Sequence, residues 1–234
     1  MALDNLYIDV DKQQGCVELI DAMQMHPVQK TVRSARVSYA RDTLESTAAR
    51  DSKLLRSLAR DNHWSPYRHS PITLHISCPE FIARQWYKHV VGSSYSFVDT
   101  GWNELSQRYT LVDAWYIPEA LHYQSATNHQ GAAGYHEDSE ALREQMKTVT
   151  NQAVEAYNRM IRLGVAKEEA RMILPLSTYT RFYWTASQQA LCHFVQLRRA
   201  TGAQAAIRLY AEAVNEICSI HYGDAWKAIQ EQQQ

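Results

Sequence analysis

The sequence predicts a protein of the α+β class with more helix than strand. Ile72, Leu74 and Ile76 alternate with polar residues, which is typical of a half-buried strand. The longest helical pattern covers residues 138–163 and is closed by Gly164, a residue type that commonly ends helices. Strand and helix patterns do not alternate strictly along the chain, and this disfavours a doubly wound parallel sheet.

In the first half of the chain, local patterns predict two helices before the strand and one after it. Residues 30–37 and 52–60 carry apolar side chains at helical spacing, whereas residues 17–21 fit either a strand or the start of a helix. Pro79 suits the first turn of a helix that continues to about residue 90. Residues 91–101 are rich in turn formers and are expected to form a loop.

The second half predicts a loop, a strand and a series of helices. Ser187 is expected to cap a helix that reaches Arg198 or Arg199, because a serine side chain accepts a hydrogen bond from the first helical turn. The remaining expectations are a loop over 124–136, a short helix over 167–173, a strand over 179–185, a final helix over 207–218 and a frayed tail over 229–234.

Composition excludes several classes of function. The net charge of −1 over 234 residues gives no global electrostatic reason to expect binding to nucleic acid or to a membrane. No apolar run approaches the roughly 20 residues that span a bilayer, and the first residues lack the order of a signal peptide. The four cysteines show no paired spacing, so we expect reduced thiols in a cytoplasmic protein and no metal site.

Two dense polar segments point to a site for an anionic, planar ligand. Residues 103–109 combine an amide, a carboxylate, a hydroxyl, a guanidinium and a phenol, and residues 84–89 form a second cluster beside aromatics. Arginine offers a planar fork that matches both phosphate and the edge of a pyrimidine. Arg198 shares a helix face with Phe194 and Val195, so we expect a partly buried guanidinium that needs an anionic partner.

The order and spacing of these clusters resemble the flavin-dependent thymidylate synthases. Their pattern is R-H-R-x-x-S-x-N-x-x-S-x-R-Y, and its second half is present here as Asn103, Ser106, Arg108 and Tyr109. Other blocks of the family lie at 17–19, 35–39, 63–69, 84–86, 169–175, 194–198 and 203–204. The resemblance extends from about residue 15 to about residue 227 and implies one domain with a central, mostly antiparallel sheet flanked by long helices.

The first half of the family pattern departs at positions that contact flavin in such proteins. The R-H-R triplet is Lys88-His89-Val90, and Asn103 follows His89 by 14 positions, eight more than the pattern allows. Ser187 and Gln189 replace a usual Asn and Arg, and His193 replaces a side chain that commonly bears an amide. Arg68 stands where a Glu is common.

The resemblance implies a homotetramer that binds FAD where subunits meet and methylates dUMP at C5. Methylenetetrahydrofolate would supply carbon, reduced flavin would supply hydride, and NADPH would reduce the flavin. Arg198 would activate the uracil electrostatically. The residues implied for substrate binding are Arg84, Gln85, Lys88, Glu104, Leu105, Ser106, Gln107, Arg108, Arg171 and Arg198, and those implied for cofactor binding are His63, Ser65, Lys88, His89, Val90, Asn103, Glu104, Ser187, Gln189 and His193.

The departures leave alternatives open. The same scaffold could act on another pyrimidine nucleotide such as UMP or yield a hydroxymethyl product, or the chain could bind nucleotide and flavin without catalysis. Loop 91–101 contains Tyr95 and Phe97 and is expected to fold over the flavin and folate pocket, substituting for the side chains that the family has at Val90 and Gln189. A tolerated surface insertion is the simpler interpretation of the same loop.

Overall fold

The computed structural model describes residues 6–37, 47–89, 101–106, 111, 114–127 and 131–232. Its centre is a five-stranded antiparallel sheet in the order β1-β2-β3-β7-β4. The strands are β1 Tyr7–Asp9, β2 Cys16–Ala22, β3 Ile72–Pro79, β4 Gly101–Glu104 and β7 Tyr179–Ala186, and a separate hairpin pairs β5 His122–Gln124 with β6 Ala132–Tyr135. The α+β class and the antiparallel sheet are therefore confirmed.

Eight helices accompany the sheet in the described part of the chain. They are α1 Pro27–Arg36, α2 Ala48–Arg60, α3 Glu80–Trp86, α4 Ser139–Arg162, α5 Lys167–Ala170, α6 Gln188–Arg199, α7 Ala205–Tyr222 and α8 Asp224–Glu231. Helices α1 to α3 and α6 to α8 pack into the buried core on the sheet. Apolar side chains of β2, β3 and β7 form one buried cluster with α6, α7 and α8. The alternation predicted for β3 is confirmed, since Ile72, Leu74 and Ile76 are buried while Thr73 and His75 are only partly covered.

Trp86, the last residue of α3, lies at the centre of this core. Its buried indole stacks on Phe194 of α6 with ring centroids 4.3 Å apart. It meets Phe182 and Trp184 of β7 and Tyr210 of α7 edge-on, at 5.5, 5.6 and 6.2 Å. These contacts tie α3 to α6 and α7, because aromatic pairs in this geometry stabilise packing by about 0.5–1.5 kcal/mol each beyond burial.

Several boundaries differ from the sequence predictions for local reasons. Residues 17–21 belong to a strand, α1 begins earlier at Pro27, and Ser187 caps α6 as predicted by accepting from the Ala190 amide. Pro79 ends β3 and precedes α3, which ends at Trp86. The helix predicted over 167–173 divides into α5 and a 3₁₀ turn.

Three predictions about irregular segments were wrong. Segment 124–136 is not a loop throughout, because β5 and β6 pair across it and stack His122 on Tyr135. Gly101, assigned to loop 91–101, begins β4 opposite Thr185; residues 91–100, including Tyr95 and Phe97, lie outside the described residues. The tail is ordered through Glu231 in α8, since Ile229 is fully buried; a break at Gly223, φ 52°, separates α8 from α7.

The turn between β1 and β2 is held by one carboxylate. Asp11 accepts hydrogen bonds from the Tyr179 hydroxyl at 2.5 Å, the Tyr210 hydroxyl at 3.2 Å and the Gly15 amide at 2.8 Å. Burial first, and Asp11 second, raise the pKa of Tyr179. A Cβ on Gly15 would lie 2.2 Å from the Tyr210 hydroxyl oxygen and 2.3 Å from Asp11 Oδ2, so only glycine fits.

We expect Gly15→Ala to lower the free energy of unfolding by about 1–3 kcal/mol, because the methyl group forces apart groups that are in contact. Urea denaturation measures the change. Gly134→Ala is the matched control, since a Cβ there meets nothing within 4 Å. Equal stability of the two variants would contradict this assignment.

Candidate active site

A cleft of about 440 Å³ opens between the C-terminal end of α6 and the β5–β6 hairpin. Gln85 of α3 and Arg198 of α6 contribute to one wall, and the Gln85 amide donates to Gln204 Oε1 at 2.6 Å. The residues that line the cleft are Gln85, His122, Tyr123, Gln124, Gly131, Ala132, Arg198, Gly202, Ala203 and Gln204. Two residues predicted to bind substrate, Gln85 and Arg198, are thus brought together.

Arg198 is held by an imidazole. Its Nε donates to His89 Nε2 at 2.8 Å, and His89 is 7% exposed. The His89 ring lies 5.1 Å from the Phe194 ring and 6.1 Å from the His193 ring. The carbonyl of Trp86 accepts from the His89 amide at 2.8 Å, so the residue that anchors α3 also positions the partner of Arg198.

His89 is neutral over the ordinary pH range. Burial, then the charges of Arg198 and His193, lower its pKa from 6.5 to about 4. A neutral imidazole offers one acceptor nitrogen, and the contact with Arg198 assigns that role to Nε2. His89 therefore orients the guanidinium without cancelling its charge.

The described residues supply no anionic partner for Arg198, so the expectation of one stays a prediction that only a ligand could meet. Among the described residues no carboxylate lies within ion-pair distance of its guanidinium, which is bonded to His89 alone. A guanidinium has five N–H donors, and His89 occupies the Nε donor only. The charge of Arg198 thus remains available to a ligand in the cleft.

A second group of predicted residues surrounds Glu80, the first residue of α3. Burial and the neighbouring charge of Glu104 raise the pKa of Glu80, whereas the charges of Arg84 and Arg171 lower it. Arg84 is exposed and Arg171 half-buried. These two arginines and two carboxylates come from α3, β4 and the turn after α5, which lie close together in the fold.

The predicted residues of segment 103–106 lie on edge strand β4 and just beyond it. The hydroxyl of Thr180 donates to Glu104 Oε1 at 2.8 Å, so β7 holds that carboxylate. Asn103 and Leu105 are exposed, and Ser106 is half-buried. Asn103 belongs to a row across all five strands, through the register pairs Tyr7–Glu18, Glu18–His75, His75–Tyr183 and Tyr183–Asn103.

Two positions that depart from the family pattern contact each other. Arg68, at the end of the 3₁₀ turn Ser65–Arg68, donates from Nε to Gln189 Oε1 at 2.5 Å in the first turn of α6. This contact joins the segment of His63 and Ser65, both exposed, to the capped start of α6.

Gln189 and His193 are one helical turn apart and lie on the accessible side of α6. Within the described part of the chain, the ring nitrogens of His193 carry no hydrogen bond. Partly accessible polar side chains therefore run along α6 from Gln189 through His193 to Arg198 at the cleft.

The remaining predicted residues are not brought to the cleft or cannot be placed. Lys88 is exposed after the end of α3. Val90, Gln107 and Arg108 lie outside the described residues.

The sequence interpretation missed the hairpin residues that line the cleft. His122, Tyr123 and Gln124 precede a run of Asn, Gly and Ala residues that is typical of a loop, and the short strands carry no apolar alternation. The signal that could have found them is the aromatic residues on both sides of that run, Tyr123 and Tyr135. Gln204 belonged to a family block but was assigned no role.

Thiol nucleophiles are disfavoured by burial. Cys16, Cys78, Cys192 and Cys218 are all buried. Burial raises the pKa of the Cys16, Cys78 and Cys218 thiols. None of the four lines the cleft.

In the part of the chain that the structure describes, no helix combines the length and apolar character needed to cross a membrane.

Comparison with known proteins defines the class to which this fold and site belong. Residues 18–221 match the family model described as thymidylate synthase complementing protein. The chain belongs to the flavin-dependent thymidylate synthase family, and it is an enzyme of that family. This confirms the resemblance found in the motifs.

Particular relatives are similar over most of the chain. The flavin-dependent thymidylate synthase of Thermus thermophilus is 39% identical over 219 residues, which cover 93% of this chain and 76% of the relative. That of Thermosipho africanus is 34% identical over 203 residues, covering 85% and 83%. Among solved structures, the UMP/dUMP methylase PolB from Streptomyces cacaoi bound with 5-Br dUMP superposes with a TM-score of 0.81 at 28% identity, covering 96% of this chain and 97% of PolB.

We expect His89→Gln to flatten the pH dependence of stability between about pH 6.5 and 4. The pKa of His89 is about 4 in the folded chain and has its ordinary value of 6.5 when unfolded. Between these pH values the imidazole at position 89 binds a proton in the unfolded chain but not in the folded chain. The free energy of unfolding therefore falls as pH falls. Glutamine can accept from Arg198 without titrating. Urea denaturation at several pH values measures the slope.

The control His69→Gln removes an exposed imidazole elsewhere. A slope that is unchanged in His89→Gln relative to wild type would show that His89 does not contribute the proton linkage.

Proposed function

We propose that the enzyme is a thymidylate synthase that methylates dUMP at C5, with methylenetetrahydrofolate as carbon donor, reduced FAD as hydride donor and NADPH as the reductant of the flavin. The observation that carries the proposal is the Arg198 guanidinium, which faces the cleft with its charge uncompensated within the described residues. Such a group can stabilise the negative charge that a uracil ring develops when C5 becomes nucleophilic.

Arg198 acts in this proposal as a preorganised electrostatic catalyst. His89, which packs edge-on against Phe194, limits the motion of the Arg198 side chain, so little reorganisation accompanies charge development on the base. Because the chain's thiols are buried, activation of the base by charge is favoured over attack by cysteine. When bound, reduced flavin supplies the hydride and the folate supplies the one-carbon unit.

The phosphate and sugar of the substrate would be held by the cationic and amide side chains around α3. Gln85 is fixed by Gln204 beside Arg198, and Arg84 and Arg171 lie close to Glu80. The family resemblance adds Lys88, Glu104, Leu105, Ser106, Gln107 and Arg108 to this set.

Polar groups along α6 fit a flavin. Gln189 and His193 are accessible, and the His193 nitrogens are available for hydrogen bonds within the described residues. Ser187 uses its hydroxyl to cap the helix, which leaves the first turn well formed. The resemblance adds His63, Ser65, Lys88, His89, Val90, Asn103 and Glu104 as cofactor contacts.

Assembly into a homotetramer is supported by a face of the sheet that carries exposed phenols among the described residues. Tyr7 is 57% exposed and Tyr183 47% exposed in the same cross-strand row as Asn103. A subunit packed on this face would cover both phenols and bring Asn103 to a flavin shared between subunits. Light scattering combined with flavin absorbance tests this, and a monomer that retains one flavin per chain would contradict it.

A second candidate substrate is UMP. PolB, which is similar over nearly its whole length, is described as a UMP/dUMP methylase, and it has also been solved with 5-Br UMP. The altered triplet Lys88-His89-Val90 and the inserted loop 91–101 motivate the same alternative, as they motivate a hydroxymethyl product. Turnover on dUMP and UMP with product analysis separates these cases, and growth of a thymidine-requiring strain tests the dUMP reaction in cells.

We expect Arg198→Ala to lower the methylation rate by about 10²–10³, the usual cost of losing one group that stabilises a developing anion. Arg199→Ala is the matched control. Arg199 is the next residue, and its Nε binds Glu212 on the surface at 2.8 Å, away from the cleft. Steady-state turnover with reduced flavin measures both variants. A folded Arg198→Ala enzyme within a fewfold of wild type would remove Arg198 from the mechanism.

The contact between Arg68 and Gln189 predicts a compensating pair. Gln189→Arg sets two guanidiniums against each other, which repel by about 1 kcal/mol at 4 Å in water. We therefore expect lower stability and roughly fivefold faster flavin release, and the double variant Arg68→Glu/Gln189→Arg should recover both by restoring opposite charges. Urea denaturation measures the stability of each variant in this double-mutant cycle, and flavin fluorescence measures the rate of flavin release. If the effects of the two substitutions simply add in both measurements, the two residues act independently.

A further inference from the structure

One wall of the cleft has no assigned role. The hairpin residues His122, Tyr123, Gln124, Gly131 and Ala132 face the wall formed by Gln85, Arg198 and the turn before α7. Neither the substrate residues nor the cofactor residues implied by the family pattern include any of these five.

The hairpin contributes little to the core. All residues of β5 and β6 are exposed, and a two-stranded ribbon without a buried apolar face is marginally stable by itself. Its strands are joined by ring pairs, His122 with Tyr135 at 4.9 Å and Tyr123 with His136 at 4.3 Å. Such cross-strand pairs stabilise a ribbon by only about 0.2–1 kcal/mol each.

The base of the hairpin is nevertheless anchored. The Leu121 amide donates to Ser139 Oγ at 2.8 Å, and Arg143 Nε donates to the Pro118 carbonyl at 2.7 Å. Both hydrogen bonds connect the hairpin and its leading segment to the start of the 24-residue helix α4. The ribbon is therefore held over the cleft by a rigid element and not by its own packing.

The chemistry of the two walls is complementary to a small anion with hydrogen-bonding edges. The lining contains one guanidinium, three side-chain amides, an imidazole and a phenol, and no carboxylate among the described residues. Its volume of about 440 Å³ lies within the roughly 300–1,000 Å³ typical of small-molecule sites. A nucleoside monophosphate suits this size better than a flavin dinucleotide, which is about twice as large.

We propose that the β5–β6 hairpin is the second wall of the pyrimidine nucleotide site, with His122 and Gln124 on its ligand-facing side. This inference rests on the proposed function, since it takes the nucleotide bound by Arg198 as the occupant. Ala132, paired with Gln124, lines the cleft, and its neighbour Ala133 does not.

The neighbouring alanines provide a matched pair of variants. Ala132→Trp fills the cleft, whereas Ala133→Trp adds the same side chain at the next position of the same strand, which does not line the cleft. By calorimetry, we expect the affinity for dUMP and UMP to fall about tenfold or more in Ala132→Trp and to stay within about twofold of wild type in Ala133→Trp. Circular dichroism and thermal melting check that both variants fold.

Truncation provides a second test that adds no bulk. His122→Ala should weaken binding of the nucleotide about two- to tenfold, the effect of losing one neutral hydrogen bond from its imidazole to the ligand. His69→Ala is its control, because His69 is an exposed histidine that does not line the cleft. The His122→Ala variant and its control test whether the hairpin contacts the nucleotide even if Ala132→Trp does not fold.

The outcomes distinguish the two proposals. If wild type binds dUMP or UMP and both tryptophan variants bind equally well, the hairpin is not part of the site and this inference is overturned. The same holds if His122→Ala binds the nucleotide as tightly as wild type and His69→Ala do. If wild type binds neither nucleotide, the proposed function itself fails.

Discussion

The stacking of Trp86 on Phe194 is the contact on which the arrangement of the site depends. It joins α3 to α6 at a ring separation of 4.3 Å, and Phe182, Trp184 and Tyr210 close the indole from other sides. Gln85 precedes Trp86, and Arg198 lies one helical turn beyond Phe194. The two substrate residues therefore meet in one cleft because the aromatic residues beside them are locked together in the core.

The same contact determines the electrostatics of the cleft. His89 follows Trp86 by one turn, is buried against Phe194 and remains neutral because burial lowers its pKa to about 4. A cationic residue in place of His89 would repel Arg198, and an anionic residue would neutralise the charge of Arg198. A neutral acceptor orients the guanidinium and leaves its charge for the ligand, which is the property that electrostatic catalysis requires.

The departures from the family pattern are coupled in space. Arg68 and Gln189, each unusual by itself, share a hydrogen bond at 2.5 Å. The family pattern has a Glu and an Arg at positions 68 and 189, and here an Arg and a Gln stand there. The cation of this pair is therefore carried by the 3₁₀ turn and not by the first turn of α6.

The sequence alone determined the elements whose signals are local. Alternation in β3, the serine cap of α6 and the length of α4 are set by neighbouring residues, and the motif blocks around Asn103, Arg171 and Arg198 identified the family. Only the tertiary structure decided the partner of Arg198, the contact of Arg68 with Gln189 and the position of the hairpin beside the cleft. The two contacts join residues that are far apart in the chain. The hairpin is a segment without apolar periodicity. Whether an arginine meets a carboxylate or a neutral imidazole depends on how helices pack, and no local pattern encodes that distance.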